Sequence, residues 1–300
     1  MALDLRPLTL AELLDRSFST YKRHLWLFVG IMAVPAVVAT VYAVAIQAFN
    51  TTITPEMTPA QVMSRVVPLM VAVFGFMAMM MVVQTFALGA TTIAVAQIYK
   101  DQPTSVAESY REARRRGVRL LLVVLWAVLR LLGVWVLLVL LTVTGATLLA
   151  LGSRTASGIF AVVGLLGGFA FTFYLAIRYG VSIPVVVLED VTAGRALARS
   201  VKLTQGHRGR VFLIMLCAAM INYATAALLQ GPFMLGAFIA GPGTPTAIGL
   251  TIVGAVLGGI GSMFSGPIMI IGLAMIYYDL RVRKEALDLR MMLDSLDAPK

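Results

Sequence analysis

The chain has 300 residues, of which 60% are hydrophobic and only 13% charged, about half the charged share of an ordinary soluble domain. That balance excludes disorder, and the apolar residues fall in runs too long for a soluble core. An excess of 24 basic over 14 acidic residues would point to nucleic acid in a soluble protein. Here the positions of the cations point to a membrane surface and to no nucleic acid.

The first predicted element is an amphipathic helix. Leu10, Leu13, Leu14, Phe18, Tyr21 and Leu25 recur at helical spacing, with Glu12, Asp15, Arg16, Ser19, Lys22 and Arg23 opposite. Thr9 and Glu12 have the spacing of a capping box. Such a helix lies in the headgroup plane. The apolar run that follows it is too long for a cleavable signal peptide.

Six long apolar runs then occupy about 25–49, 66–98, 120–151, 158–188, 211–240 and 248–278. About 20 residues suffice to cross the hydrocarbon, so these spans tilt or extend into the headgroups. Pro35, Pro184, Pro232 and Pro267 lie within the runs and predict kinks. Residues 50–65, with Pro55 and Pro59, form the one sizeable outer loop. The single cysteine, Cys217, falls in an apolar run, which excludes an intramolecular disulfide.

Orientation follows from the cations. Twenty basic residues lie in the segments before Leu25, at 99–119, at 189–210 and after Tyr278, whereas Arg65 and Arg154 alone lie on the opposite side. Both termini are therefore expected in the cytoplasm, in a multi-pass protein of the cell (inner) membrane.

The inner segments also resemble one another. A shift of 183 brings Thr9, Leu14, Arg16, Ser17 and His24 onto Thr192, Leu197, Arg199, Ser200 and His207. A shift of 96 brings Thr9 onto Ser105, Ala11 onto Ala107 and Glu12 onto Glu108. Asp101, Asp190 and Asp279 follow the even-numbered spans at intervals of 89. The expected architecture is an all-α integral membrane fold of six transmembrane helices. They form three pseudo-repeated hairpins, each preceded by a cytoplasmic amphipathic helix. One membrane domain covers 1–300, with repeat units of about 1–101, 102–190 and 191–279 and a cytoplasmic tail at 280–300.

Three stretches carry a family resemblance. They are Arg6-Pro7-Leu8-Thr9-Leu10-Ala11-Glu12-Leu13-Leu14-Asp15-Arg16-Ser17-Phe18, then Ala196-Leu197-Ala198-Arg199-Ser200 with Leu203-Thr204-Gln205-Gly206-His207, and finally Pro267 with Tyr277-Tyr278-Asp279-Leu280-Arg281. Together they resemble bacterial membrane proteins related to the membrane domain of glycerophosphoryl diester phosphodiesterases. Val201 departs from the aromatic residue that the resemblance leads one to expect after Arg-Ser. In some relatives such a domain is joined to a soluble hydrolytic barrel. With about 22 residues after the last span, the expectation here is a stand-alone membrane domain, and the resemblance assigns no enzyme activity.

Catalytic candidates are absent from this reading. His24 and His207 sit at helix–membrane junctions without metal-ligand spacing around them, no nucleophile elbow or Walker loop is legible, and no cofactor is called for. No acidic residue lies deep in a span, which weighs against a carboxylate proton relay. Gln84, Asn222 and Gln230 read as interhelical hydrogen-bond partners, and the pairs Gly164/Gly168 and Gly254/Gly258 as close-packing sites.

Anion-binding candidates remain. Arg111, Arg114, Arg115, Arg116 and Arg119 form the densest basic run, suited to anionic lipid. Arg130 and Arg178 each lie about ten residues inside the inner end of their spans, roughly 15 Å deep at about 1.5 Å per residue. They either snorkel to headgroups or share a buried anion site. The function expected is that of a non-enzymatic accessory, scaffold or anionic-lipid-interacting component. A small-solute or lipid transporter or channel is the alternative. Partners are membrane lipids, with a second copy or another membrane protein left open.

Overall fold

The structure is a computed structural model that describes residues 8–48 and 58–285. Every regular element among them is helical: α1 Leu10–Arg23, α2 Leu25–Ala48, α3 Pro59–Tyr99, α4 Val106–Arg115, α5 Gly117–Ala150, α6 Arg154–Tyr179, α7 Ser182–Glu189, α8 Ala193–Thr204, α9 Arg208–Leu229, α10 Gly231–Ala240 and α11 Pro245–Glu285. Six stretches are long and apolar enough to cross a membrane: Leu25–Gln47, Ala60–Tyr99, Gly117–Ala150, Arg154–Glu189, Arg208–Leu229 and Pro245–Glu285. The protein is a multi-pass, all-α membrane protein.

The expected kinks resolve into two kinds. Pro35 and Pro267 stay inside continuous helices. Pro184 and Pro232 instead follow outright breaks, at Gly180–Val181 between α6 and α7 and at Gln230 between α9 and α10. Proline tolerates a first helical turn and disrupts an interior, so a chain already turning at glycine restarts there. The helix α3 begins seven residues before the expected span. Thr58 accepts from the Gln61 amide and the Gln61 side chain returns to the Thr58 amide, and Pro59 occupies the first turn. The remainder of the loop expected at 50–65 lies outside the described residues.

The described chain forms two compact units. One contains Thr9–Arg115 and Leu213–Met275, and the other contains Leu8, Arg116–Phe212 and the chain from Ile276.

In the first unit α1 turns Leu13, Ser17 and Tyr21 inward. Thr9 and Glu12 close the capping box expected from their spacing. Tyr21 donates to the Phe264 carbonyl at 2.7 Å, one residue past the carbonyl that Pro267 leaves without its helical partner. Tyr110 of α4 donates at 2.7 Å to the Ile31 carbonyl, the one that Pro35 would have satisfied had it an N–H. Tyr110 thus meets the carbonyl that Pro35 frees, whereas Tyr21 bonds the neighbour of the one that Pro267 frees.

Glycines set other approaches. A Cβ on Gly258 would stand 2.9 Å from Gln230 Oε1, and one on Gly254 3.1 Å from Phe233 Cβ. The α9–α10 break therefore packs on the Gly254/Gly258 face of α11. Asn222 accepts from Ser265 at 3.3 Å, an interhelical bond of the kind expected of it.

In the second unit α5 and α6 form a tight hairpin. A Cβ on Gly164 would lie 2.6 Å from Thr142 Cγ2, and one on Gly168 3.4 Å from Leu138 Cβ, so this Gly pair serves packing within the chain. Leu137, Leu140, Leu141, Leu166 and Phe169 stay exposed, as befits faces turned to hydrocarbon. At the α6–α7 break the Arg178 carbonyl accepts from Ser200 of α8 at 2.8 Å. Asp101 and Asp190 both take positive φ, 51° and 52°. Aspartate tolerates this conformation better than most side chains.

Candidate functional site

The strongest polar construction lies in the second unit and draws on two of the resembling stretches. Arg199 of α8 holds Glu189 at 3.0 Å and also pairs with Glu285. Arg281 bonds Glu285 at 3.1 Å and donates to the Tyr277 hydroxyl at 3.2 Å. Tyr277 in turn donates to Glu189 at 2.9 Å. The arrangement alternates two carboxylates with two guanidiniums, so each charge has its opposite in place.

Beside it, the fully buried Asp279 carboxylate accepts from the Leu8 amide at 2.9 Å and from Arg283 at 3.0 Å, with Arg210 at 3.3 Å. Arg210 and Arg283 also donate to the Leu8 carbonyl, at 2.6 and 2.5 Å. Glu189, Glu285, Arg210 and Arg283 were not singled out by sequence. The available signal was opposite charges at the ends of helices that the fold later joins.

The repeat-motif residues occupy comparable settings. Ser17 is buried, donating to the Leu13 carbonyl at 2.8 Å and touching Met275 Sδ at 3.2 Å, and Arg16 bonds Tyr99. Ser200 is buried as well, with Arg199 on Glu189. His24 and His207 mark the α1–α2 and α8–α9 junctions. The His24 carbonyl accepts from the amides of Leu27 and Phe28, and that of His207 from Arg210 and Val211. Burial, then the neighbouring Arg23, holds the His24 imidazole below its ordinary range.

The dense basic run divides by partner. Arg119 is tied to the Asp190 carboxylate, Arg115 pairs with Glu112 at 3.2 Å, and Arg116 has a partner as well. Arg111 stands 3.8 Å from Glu108 with most of its side chain exposed. Arg114 makes no hydrogen bond or ion pair among the described residues.

Arg111 and Arg114 flank an open groove of about 540 Å³ walled by Val34, Val82, Val83 and Phe86. Ala107 and Tyr110 of α4 complete it. Burial pushes the Tyr110 hydroxyl up to about 12, so it remains a neutral donor to Ile31.

Arg130 and Arg178 have separate surroundings. Arg130 is exposed, its guanidinium 5.9 Å from the Trp126 ring centre. Arg178 is half-buried and lies 5.8 Å from the Tyr174 ring. No hydrogen bond or ion pair joins the two among the described residues. The cation that shares Tyr174 with Arg178 is Arg208, 5.2 Å from the ring and bonded to its hydroxyl.

Residues 154–292 match the family described as the membrane domain of glycerophosphoryl diester phosphodiesterase. The match takes in α6 to α11, and with them Arg199, Ser200, His207, Pro267, Tyr277, Asp279 and Arg281. No curated protein and no solved structure matches the chain.

Proposed function

We propose that this protein is a non-enzymatic membrane component that engages anionic phospholipid at the cytoplasmic leaflet of the cell membrane. One observation carries the reading: Arg111 and Arg114 border an apolar groove between α2 and α3. Such a groove can take an acyl chain while the guanidiniums meet the headgroup phosphate. Each cation near an anionic surface contributes roughly 1 kcal/mol. Arginine's planar fork also suits phosphate oxygens.

The topology with both termini cytoplasmic belongs to the same reading. It rests on the basic segments at 99–119 and 189–210. So does the organisation into three hairpins, with units of about 1–101, 102–190 and 191–279, each led by an amphipathic helix. Its support comes from register. The buried positions of α1, at 13, 17 and 21, recur at 109, 113 and 117, and again at 196, 200 and 204. Those intervals are the 96 and 183 of the sequence comparison. The paired bonds to the His24 and His207 carbonyls keep the second interval, and the positive φ at Asp101 and Asp190 falls at 89.

The test is native mass spectrometry of the detergent-purified protein with its retained lipids. The wild type is expected to keep phosphatidylglycerol or another anionic phospholipid. Arg111→Gln with Arg114→Gln should reduce its occupancy about tenfold or more, given roughly 1 kcal/mol per charge. Equal occupancy in the double variant would overturn the lipid reading. Solute flux through the wild-type protein in liposomes would overturn the non-transport part and favour a transporter.

A further inference from the structure

Charge accounting in the second unit leaves two neighbouring guanidiniums without a carboxylate. Its described carboxylates, Glu189, Asp190, Asp279 and Glu285, are each held by other arginines: Arg199 and Arg281, Arg119, then Arg210 and Arg283. None is paired with Arg178 or Arg208. Yet both guanidiniums stand within 6 Å of one aromatic ring, Tyr174. The Nε atoms of both are buried and have no hydrogen-bond partner. Arg178 is held through its carbonyl by Ser200, which leaves its fork uncommitted.

A further cation is drawn to the neighbouring loop. Lys284 Nζ donates to the carbonyls of Lys202 and Gln205, at 2.7 and 2.6 Å. Two like charges gathered on a ring in a poorly solvated place repel strongly unless an anion joins them. The ring face offsets part of that repulsion but supplies no full charge. Arg208 also opens the 22-residue helix α9, whose N-terminus carries the positive end of the helix dipole.

We propose that Arg178 and Arg208, gathered on Tyr174, form a binding site for a phosphate group. Planar guanidiniums bind tetrahedral oxyanions through paired N–H donors. The group is carried either by a lipid headgroup of the phosphomonoester type or by free phosphate. The site is separate from the α4 groove and stands or falls without it.

The experiment uses the full chain in two arms. In detergent, inorganic phosphate is titrated against chloride at equal ionic strength and thermal stability is read. In nanodiscs of neutral lipid, phosphatidic acid is added and the same shift is read. Stabilisation in both arms identifies the phosphate group itself as sufficient, and stabilisation by phosphatidic acid alone identifies the lipid headgroup. Either supports the site if Arg178→Gln and Arg208→Gln each weaken the response at least tenfold. Arg178→Lys should fall between, having kept charge and lost the fork, and Arg154→Gln should respond as wild type does.

Should a variant fail to fold, phenylglyoxal labelling of the wild type, mapped by mass spectrometry, replaces it. Phosphate or phosphatidic acid is expected to protect Arg178 and Arg208 and to leave Arg154 labelled. No stabilisation in either arm, or equal labelling with and without the anion, would overturn the proposal.

Discussion

Tyr110 illustrates how one hydroxyl can matter inside an apolar protein. Pro35 removes the amide that would have closed the helix at Ile31, and Tyr110 fills the place at 2.7 Å. Tyr110→Phe should lower stability by about 1 kcal/mol, the usual scale of one such bond. In the Pro35→Ala background the same change should cost less, because the substitution restores a backbone amide that can reach the Ile31 carbonyl. A thermal-denaturation double-mutant cycle checks this, and additivity of the two changes would contradict it. His24 adds a pH dependence. Its folded form binds a proton less readily than the ordinary value near 6.5. Its contribution is therefore complete above that pH and lost as pH falls below it. His24→Gln should flatten the melting temperature between about pH 7 and pH 5, where the wild type declines.

At the scale of elements, the α5–α6 hairpin depends on a missing side chain. A methyl group at Gly164 would meet Thr142 at 2.6 Å, whereas one at Gly167 has nothing within 4 Å. Gly164→Val should therefore destabilise by about 1–3 kcal/mol through overpacking. Gly167→Ala should be neutral or slightly stabilising, since it relieves the entropy of a helical glycine. Equal melting temperatures for the two variants would show that the hairpin does not rest on this contact.

Helix positions were legible in sequence because hydrocarbon demands long apolar runs, and both Pro184 and Pro232 announced the breaks beside them. Thr9 and Glu12 announced their cap. The charged assembly around Glu189 was not legible. Its members come from α7, α8 and α11, and nothing local joins Glu189 to Tyr277. The partnership of Arg178 with Arg208 was hidden for the same reason, as α7 and α8 lie between them in the chain. Arg119 read as one more headgroup cation, and its engagement by Asp190 depends on where α7 ends.

For the whole molecule, the proposed lipid role depends on sidedness. Arg111 and Arg114 meet an anionic leaflet only if 99–119 faces the cytoplasm with 189–210 and the tail. The decisive measurement is labelling by a membrane-impermeant maleimide in intact spheroplasts, on a Cys217→Ser background that removes the only native thiol. Single cysteines replace Glu56, Asp101, Lys202 and Asp294 in turn. Labelling of the cysteine at 56 in intact cells, with those at 101, 202 and 294 reacting only after lysis, is the predicted result. Labelling from outside at 101 or 202, or protection of 56, would contradict the account.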